Sequence, residues 1–284
     1  TEAASGAKTE ALLDAGTNPP AGVIIHYWLK EKPEGTVTIR ILDAEGNTIR
    51  TLAGDAEEPP RPPAAAGANR IVWDMRYERP TKLQNGTTSD PYEQEAMAGT
   101  APRALPGSYQ VQLSAGDQTL TERFAILEDP RLTISADALK DQFTMKLAIR
   151  DRLSEVISAA NDIRRVRKQV DAWEERAKTA SGHDQLREAA ARLKEHLKAA
   201  EESLVNLEAD TPRQGRAWLR EKLVTLSQLI DESDDGPTQG ARELFARLTD
   251  DVAAARDRVR HLMDDDVRAF ADLVRASDLP VVGP

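Results

Sequence analysis

The chain of 284 residues contains no cysteine. Disulfide bonds, thiolate metal sites and cysteine nucleophiles are therefore excluded. Aromatic residues make up 4% of the chain, and no segment approaches the roughly 18 consecutive apolar residues that a membrane-spanning helix needs. We therefore expect no membrane span, and a core in which aliphatic side chains predominate.

Histidine is also scarce, with four residues at positions 26, 183, 196 and 261. None belongs to an HExxH motif or to a close pair, so the sequence predicts no metal site and no bound cofactor. No GxSxG motif supports a catalytic serine. The carboxylate runs, such as residues 264–266, are interpreted as solvated faces, whereas a glycosidase needs a desolvated carboxylate across a cleft from a second one.

The formal net charge is −10, and it is uneven along the chain. Residues 1–130 hold 12 Lys and Arg against 19 Asp and Glu, whereas residues 131–284 hold 26 against 29. The acidic total disfavours binding to nucleic acid as the main function. The dense but balanced charge of the second part is typical of solvated helix faces.

The composition changes at Pro130, since the first 130 residues contain 11 of 16 Gly and 12 of 16 Pro. We predict a β-sandwich module at residues 19–130 and a helical bundle at residues 131–277. Residues 1–18 are expected to be a flexible lead-in or linker, and residues 278–284 a tail. Because the chain begins with Thr rather than Met, we interpret it as a mature form or a fragment.

The first module alternates with the period of a strand. Val37, Ile39 and Ile41 share one face, and the turn that follows contains Gly46, which tolerates a positive φ. Six or seven strands with such turns are typical of an immunoglobulin-like or fibronectin-like β-sandwich. The predicted strands are residues 23–29, 36–42, 48–52, 69–75, 106–113 and 118–127.

The second module has the spacing of amphipathic helices. Leucine and alanine recur at intervals of four and three from Leu186 to Leu207, as do apolar residues from Ala241 to Leu262. We predict four helices in up-down-up-down order, the first ending near Thr179 and the last near Ala276. The ends of the first and last helices, lacking a third helix, are expected to pack on the β module.

Several phrases occur in an order that resembles one protein family. They are residues 18–22 before 25–29, then 41–46, 71–77, 106–113 and 129–131. Together they resemble the C-terminal region of bacterial sortilin-like proteins of the BNR-repeat glycosyl hydrolase family. In that family a β-propeller is followed by a FlgD-like or immunoglobulin-like module and a helical tail.

The resemblance implies a periplasmic or extracellular location and an upstream β-propeller domain or another protein as the partner. The propeller's Ser-x-Asp-x-Gly-x-Thr-Trp motif is absent from this chain. We therefore expect a non-catalytic accessory or interaction module. A carbohydrate-binding module is the alternative, and a glycoside hydrolase is a second alternative. Heptad spacing also allows a homodimer, although a monomeric bundle needs the same spacing.

Two groups of residues are candidates for a partner or ligand surface. The first is the basic cluster of Arg164, Arg165, Arg167 and Lys168, which would suit an acidic partner unless neighbouring carboxylates neutralise it. The second is aromatic, because a ring face suits a sugar. Tyr77 and Tyr92 are the surface candidates, whereas Trp28 and Trp73 are expected in the core.

Overall fold

The chain has a mixed α/β structure with antiparallel sheets and long helices. The computed structural model describes residues 19–57, 59–84, 101–131, 134–179, 182–205, 218–231 and 235–279. The predicted lead-in at residues 1–18 and Tyr92 lie outside the described residues. Two compact units divide the chain: residues 1–75 with 109–124, and residues 76–108 with 125–284.

The described part of the chain has six strands, of which four lie wholly and two lie mostly in the first unit. They are β1 (Val23–Leu29), β2 (Thr38–Leu42), β3 (Thr48–Ala53), β4 (Gly67–Trp73), β5 (Gly107–Ala115) and β6 (Gln118–Ile126). β1 pairs with β4 in a two-stranded sheet, and the other four form a sheet in the order β3-β2-β5-β6. β4 begins two residues earlier than predicted, at Gly67.

The predicted turn between β2 and β3 is confirmed. Gly46 has a φ of +88°, and its amide donates to the Asp43 carbonyl over 3.2 Å. The Asp43 carboxylate accepts from the Asn47 amide over 2.7 Å. An aspartate that closes its own turn fixes the hairpin locally.

The core of the first unit surrounds Trp73, which is fully buried as predicted. Its ring meets the rings of Tyr109 and Phe124 edge-to-face, each with centroids 6.2 Å apart. Ile39 and Ile41 are also fully buried, in agreement with the predicted face of β2. The two sheets therefore contact each other through an aromatic cluster.

The second unit is built from helices. They are α1 (Ala136–Thr179), α2 (Asp184–Leu204), α3 (Leu219–Asp231), α4 (Gln239–His261), a π-helical segment (Leu262–Val267) and α5 (Arg268–Ala276). The last three follow one another without a gap, which confirms the predicted helix end near Ala276. The end of α1 at Thr179 confirms the other predicted helix end. The Ser135 and Thr238 side chains accept from the Ala138 and Ala241 amides and cap α1 and α4.

α2 runs antiparallel to α1. Lys194 contacts Glu174 over 2.6 Å, whereas Glu201, later in α2, contacts Arg164, earlier in α1. The end of α3 lies at the start of α1, where Gln142 donates to the Ile230 carbonyl. α3 also contacts α2, which lies along the later part of α1. From there α3 runs back to the start of α1, so it too is antiparallel to α1.

α4 runs parallel to α1, so the predicted up-down-up-down order is wrong. Arg242 pairs with Asp141 over 3.0 Å, and Arg256 pairs with Glu155 over 2.9 Å. Length explains this order: α1 has 44 residues and spans about 66 Å, whereas α2 and α3 have 21 and 13 residues and span about 32 and 20 Å. They therefore cover α1 in series.

Helices also cover the ends that were expected to lack a helical neighbour. The start of α1 contacts α3 and α4, and both the π-helical segment and α5 contact α2. Phe270 is 6% exposed, and Leu279 packs on the same helical core. Phe270 is therefore buried, and Leu279 partly buried, within the helical unit itself.

Residues 76–84, here called the anchor segment, belong to the helical unit, whereas the sequence predicted one boundary at residue 130. The Thr81 and Gln84 amides donate to Ser154 and Asn161 of α1 over 3.2 and 2.8 Å. Leu83 packs on the helical core. The contacts fall in order along α1, so the segment follows this helix in the same direction.

One fully buried carboxylate joins α2, α1 and the anchor segment. Glu201 of α2 is 0% exposed and pairs with Arg164 and Arg167 of α1 over 2.5 and 2.8 Å. Arg164 also donates to the Gln84 carbonyl. Loss of this carboxylate would leave two neighbouring cations of α1 without the buried partner that they share.

We expect Glu201→Ala to lower the free energy of unfolding by about 3 kcal/mol, because breaking a buried ion pair leaves its partners unpaired. The matched control is Glu202→Ala on the exposed side of α2, which should cost under about 1 kcal/mol. Urea unfolding followed by circular dichroism measures both. Equal losses in the two variants would contradict the assigned role of Glu201.

Candidate functional site

The outer side of the two-stranded sheet carries an exposed tryptophan. Trp28 is 72% exposed, so the prediction that it belongs to the core is wrong. Three cross-strand pairs share its side of the sheet: Ile24 with Val72, His26 with Arg70, and Trp28 with Ala68. These six residues are here called the Trp28 face.

Alternation along β1 produces this surface. Ile24, His26 and Trp28 are exposed, whereas Leu29 at the end of the inner set is buried. A polar histidine between two large apolar residues is the signal in the sequence that this side of the strand meets solvent. The other residues of β1 form a nearly continuous apolar run, which is why the sequence predicted a buried strand.

The indole of Trp28 lies close to Gly67 at the start of β4. A Cβ atom at this position would lie 3.9 Å from two ring carbons of Trp28, so the ring covers the glycine. Gly67 has a φ of +96°, which side chains with a Cβ rarely adopt. Glycine at this position is therefore explained by the backbone conformation at the start of β4, and the tryptophan ring lies beside it.

Tyr27 fixes the orientation of β1 from the opposite side. Its hydroxyl donates to the Pro63 carbonyl in the proline-rich loop before β4. Burial raises the pKa of Tyr27 from 10.0 to about 12. The neutral phenol thus favours the folded state below pH 10, and this contribution is lost as the pH rises towards 12.

The predicted basic cluster is largely used within the helical unit. Arg164 and Arg167 hold the buried Glu201, and Arg165 pairs with Asp162 over 2.8 Å on the surface of α1. Lys168 is exposed. The cluster therefore does not present four cations together to a partner.

The predicted aromatic pair is not brought together among the described residues. Tyr77 is half-buried, with its ring edge-to-face against Phe143 at a centroid distance of 5.1 Å. Its amide donates to the Pro102 carbonyl over 3.0 Å. Tyr77 therefore packs the anchor segment onto α1, whereas Tyr92 lies outside the described residues.

An open cleft of about 400 Å³ lies between α2, the end of α4 and the π-helical segment. His196 Nδ1 and Asp266 Oδ2 are 2.6 Å apart at its rim, an arrangement that leaves Nε2 for a second contact. Both side chains are largely solvated, 60% and 42% exposed. Ser203 lies seven residues further along α2, about 10.5 Å away, and donates to the Ala200 carbonyl instead.

The cleft thus pairs His196 with Asp266, but it does not place a serine nucleophile beside the histidine. Across the described ranges, no group of three or more His, Asp or Glu side chains could hold a metal ion. Within those same ranges, no helix combines the length and the apolar character that crossing a membrane requires.

Comparison with known proteins does not assign the chain to a family. No family model, curated protein or solved structure matches the chain. The resemblance to sortilin-like proteins therefore stays a prediction. Of the surfaces above, the Trp28 face combines a large exposed aromatic side chain with a rigid backbone support.

We expect Trp28→Ala to change the free energy of unfolding by less than about 0.5 kcal/mol, because exposed side chains contribute little to folding. Trp73→Ala should cost about 3–5 kcal/mol, because it removes the centre of the buried aromatic cluster. Urea unfolding followed by fluorescence and circular dichroism compares them. A large loss for Trp28→Ala would mean that this ring is a core residue.

Proposed function

We propose that this chain is a non-catalytic interaction module that binds another protein through the Trp28 face. The observation that carries the proposal is the 72% exposure of Trp28, the sixth of seven residues in a strand that is paired with β4. Tryptophan is strongly enriched among residues that dominate binding energy. Because the backbone of β1 is already ordered, a partner would bury this ring at a small entropic cost.

The neighbours of Trp28 favour a protein over a sugar. Ile24 and Val72 add apolar area, and Arg70 and His26 supply the ionisable groups of the face. Tryptophan, arginine and aliphatic side chains together are typical of a protein interface. The partner should therefore present an apolar pocket bordered by carboxylates.

The wider architecture is part of the proposal. The contact of Trp73 with Tyr109 and Phe124 supports an immunoglobulin-like sandwich, and the common core of α1 to α5 supports a helical bundle. We propose further that the module belongs to a larger exported protein, with an upstream β-propeller as the first candidate partner. This rests on the resemblance stated for the sequence.

A photo-crosslinking amino acid at position 26 of the native gene product, on the same face as Trp28, tests the docking surface. We expect crosslinks to one protein or domain, identified by mass spectrometry. With that partner purified, Trp28→Ala should weaken binding at least tenfold, since loss of a central tryptophan costs about 2 kcal/mol or more. Calorimetry or surface plasmon resonance gives the dissociation constants.

Leu120→Ala is the matched control, because Leu120 is 66% exposed on β6 of the other sheet. It should leave the affinity within about twofold of the parent, as do most surface residues outside a hot spot. Equal weakening by both substitutions, or an unchanged affinity for Trp28→Ala, would exclude the Trp28 face as the docking surface.

The intact mass of the native gene product distinguishes two forms of this proposal. A mass far above 31.2 kDa would place the partner domain in the same polypeptide, whereas a mass near 31.2 kDa would require a separate protein. Sedimentation at micromolar concentration tests the homodimer. One monomeric species would exclude a second copy as the partner.

Carbohydrate binding is the second candidate, favoured by the ring of Trp28 lying over Gly67 with most of its surface open to solvent. An aromatic face of this kind can stack on a pyranose ring. Retention of the chain on insoluble polysaccharides, lost in Trp28→Ala and kept in Leu120→Ala, would favour this candidate. Absence of binding across a glycan panel would exclude it.

A further inference from the structure

β1 has a neighbouring strand on one side only. It pairs with β4 over all seven of its residues, from Val23 opposite Trp73 to Leu29 opposite Gly67, without a register shift. Among the described strands no other lies beside β1, and no backbone hydrogen bond within the described ranges links it to a loop. In an antiparallel pair, the amides and carbonyls of alternate residues point away from the partner strand. Every second residue of β1 therefore presents its amide and carbonyl at an open edge of the sheet.

Burial places this edge at the rim of the first unit. The inward side chains of β4, from Asn69 to Trp73, are all buried. In β1 the inward side chains of Val23, Ile25 and Tyr27 are only half-buried, and the outward ones are exposed. Both sides of β1 therefore keep apolar surface that a further strand would remove from water.

β1 lacks the charged side chains that usually protect an edge strand. Its sequence, Val-Ile-Ile-His-Tyr-Trp-Leu, contains no Lys, Arg, Asp, Glu or Pro. The other edge strands of the described sheets all carry charge, namely Arg50 in β3, Arg70 in β4, and Glu122 and Arg123 in β6. An exposed, uncharged and apolar edge is a template for another strand. The edge of β1 therefore specifies an extended polypeptide as its occupant.

The sequence of β1 is complementary to itself when two copies run antiparallel. With His26 of one copy opposite His26 of the other, all seven residues overlap. Each aromatic or leucine side chain then meets a β-branched one: Trp28 with Ile24, Tyr27 with Ile25, and Leu29 with Val23. Pairs of aromatic and β-branched residues stabilise antiparallel strands. Odd positions oppose odd ones and even positions oppose even ones, so the outward amides of each copy meet the outward carbonyls of the other.

We propose that the free edge of β1 pairs with β1 of a second copy of this chain, antiparallel and centred on His26. The product is a continuous four-stranded sheet in the order β4-β1-β1-β4, with a two-fold axis through the pair of His26 residues. Lys30, which follows β1, falls opposite Gly22 of the second copy in this register. No like charges therefore oppose each other along the paired strands.

This pairing is separate from docking on the Trp28 face. The strands meet edge to edge, so the outer side chains of both copies stay on one open side of the new sheet. The two Trp28 faces then lie next to each other, and a partner protein meets both. Crosslinks from position 26 to residues 23–29 of a second copy report the pairing, whereas crosslinks to another protein report the docking.

Sedimentation of the full chain, with substitutions at the centre of the register, tests the proposal. At micromolar concentration the parent should sediment as a dimer of twice 31.2 kDa. His26→Lys and His26→Asp should each raise the dimer dissociation constant at least tenfold, because like charges would lie directly opposite each other. An equimolar mixture of the two variants should recover the dimer, since lysine then opposes aspartate. His26 is exposed, so both variants should fold, which circular dichroism checks.

Thr121→Lys is the matched control, because it adds a charge at an exposed position of the edge strand β6 and should leave the chain dimeric. Hydrogen exchange supplies a second readout: alternate amides of β1 should be protected in the parent and should exchange faster in His26→Lys. A monomeric parent would overturn the proposal, as would a dimer that persists in both His26 variants or a mixture of them that stays monomeric. Dissociation by Thr121→Lys would place the contact on β6 and would overturn it as well.

Discussion

The length of α1 is the constraint on which the helical unit depends. A helix of 44 residues carries an apolar stripe along its whole length, and every turn of that stripe must be covered. α2 and α3 are each too short, so they cover α1 one after the other, and α4 returns parallel to α1. The anchor segment covers a further strip, which places residues 76–84 in the second unit.

Some charged side chains of this chain pair with one another inside the helical unit and are not available to a partner. Glu201 is fully buried because two arginines of α1 satisfy it, and this consumes most of the basic cluster that first suggested a partner surface. Lys146 is buried as well, and its ammonium group pairs with Asp231 from the end of α3, which also lies 3.8 Å from Arg76. Whether a basic cluster in a sequence can bind a partner thus depends on which carboxylates the fold brings next to it.

The sheets and the helices differ in how well their exposed sides could be predicted. The buried face of β2 followed directly from alternation, and Trp73 followed from its apolar surroundings. The exposure of Trp28 did not follow from the sequence, because every residue of β1 except His26 is aliphatic or aromatic. Both faces of the strand therefore looked buried. The sequence of one strand does not reveal how many neighbours the strand has or which of its sides meets solvent.

Local sequence was sufficient for the elements of the described ranges: six strands with their turns, the long helical segments with their caps, and the change of composition near Pro130. These follow from periodicity, glycine and capping chemistry. Tertiary structure alone decided the direction of α4, the attachment of residues 76–84 to α1, and the approach of Arg76 and Lys146 to Asp231. Those depend on contacts between residues far apart in the chain, where helix lengths and the balance of buried charge select one arrangement.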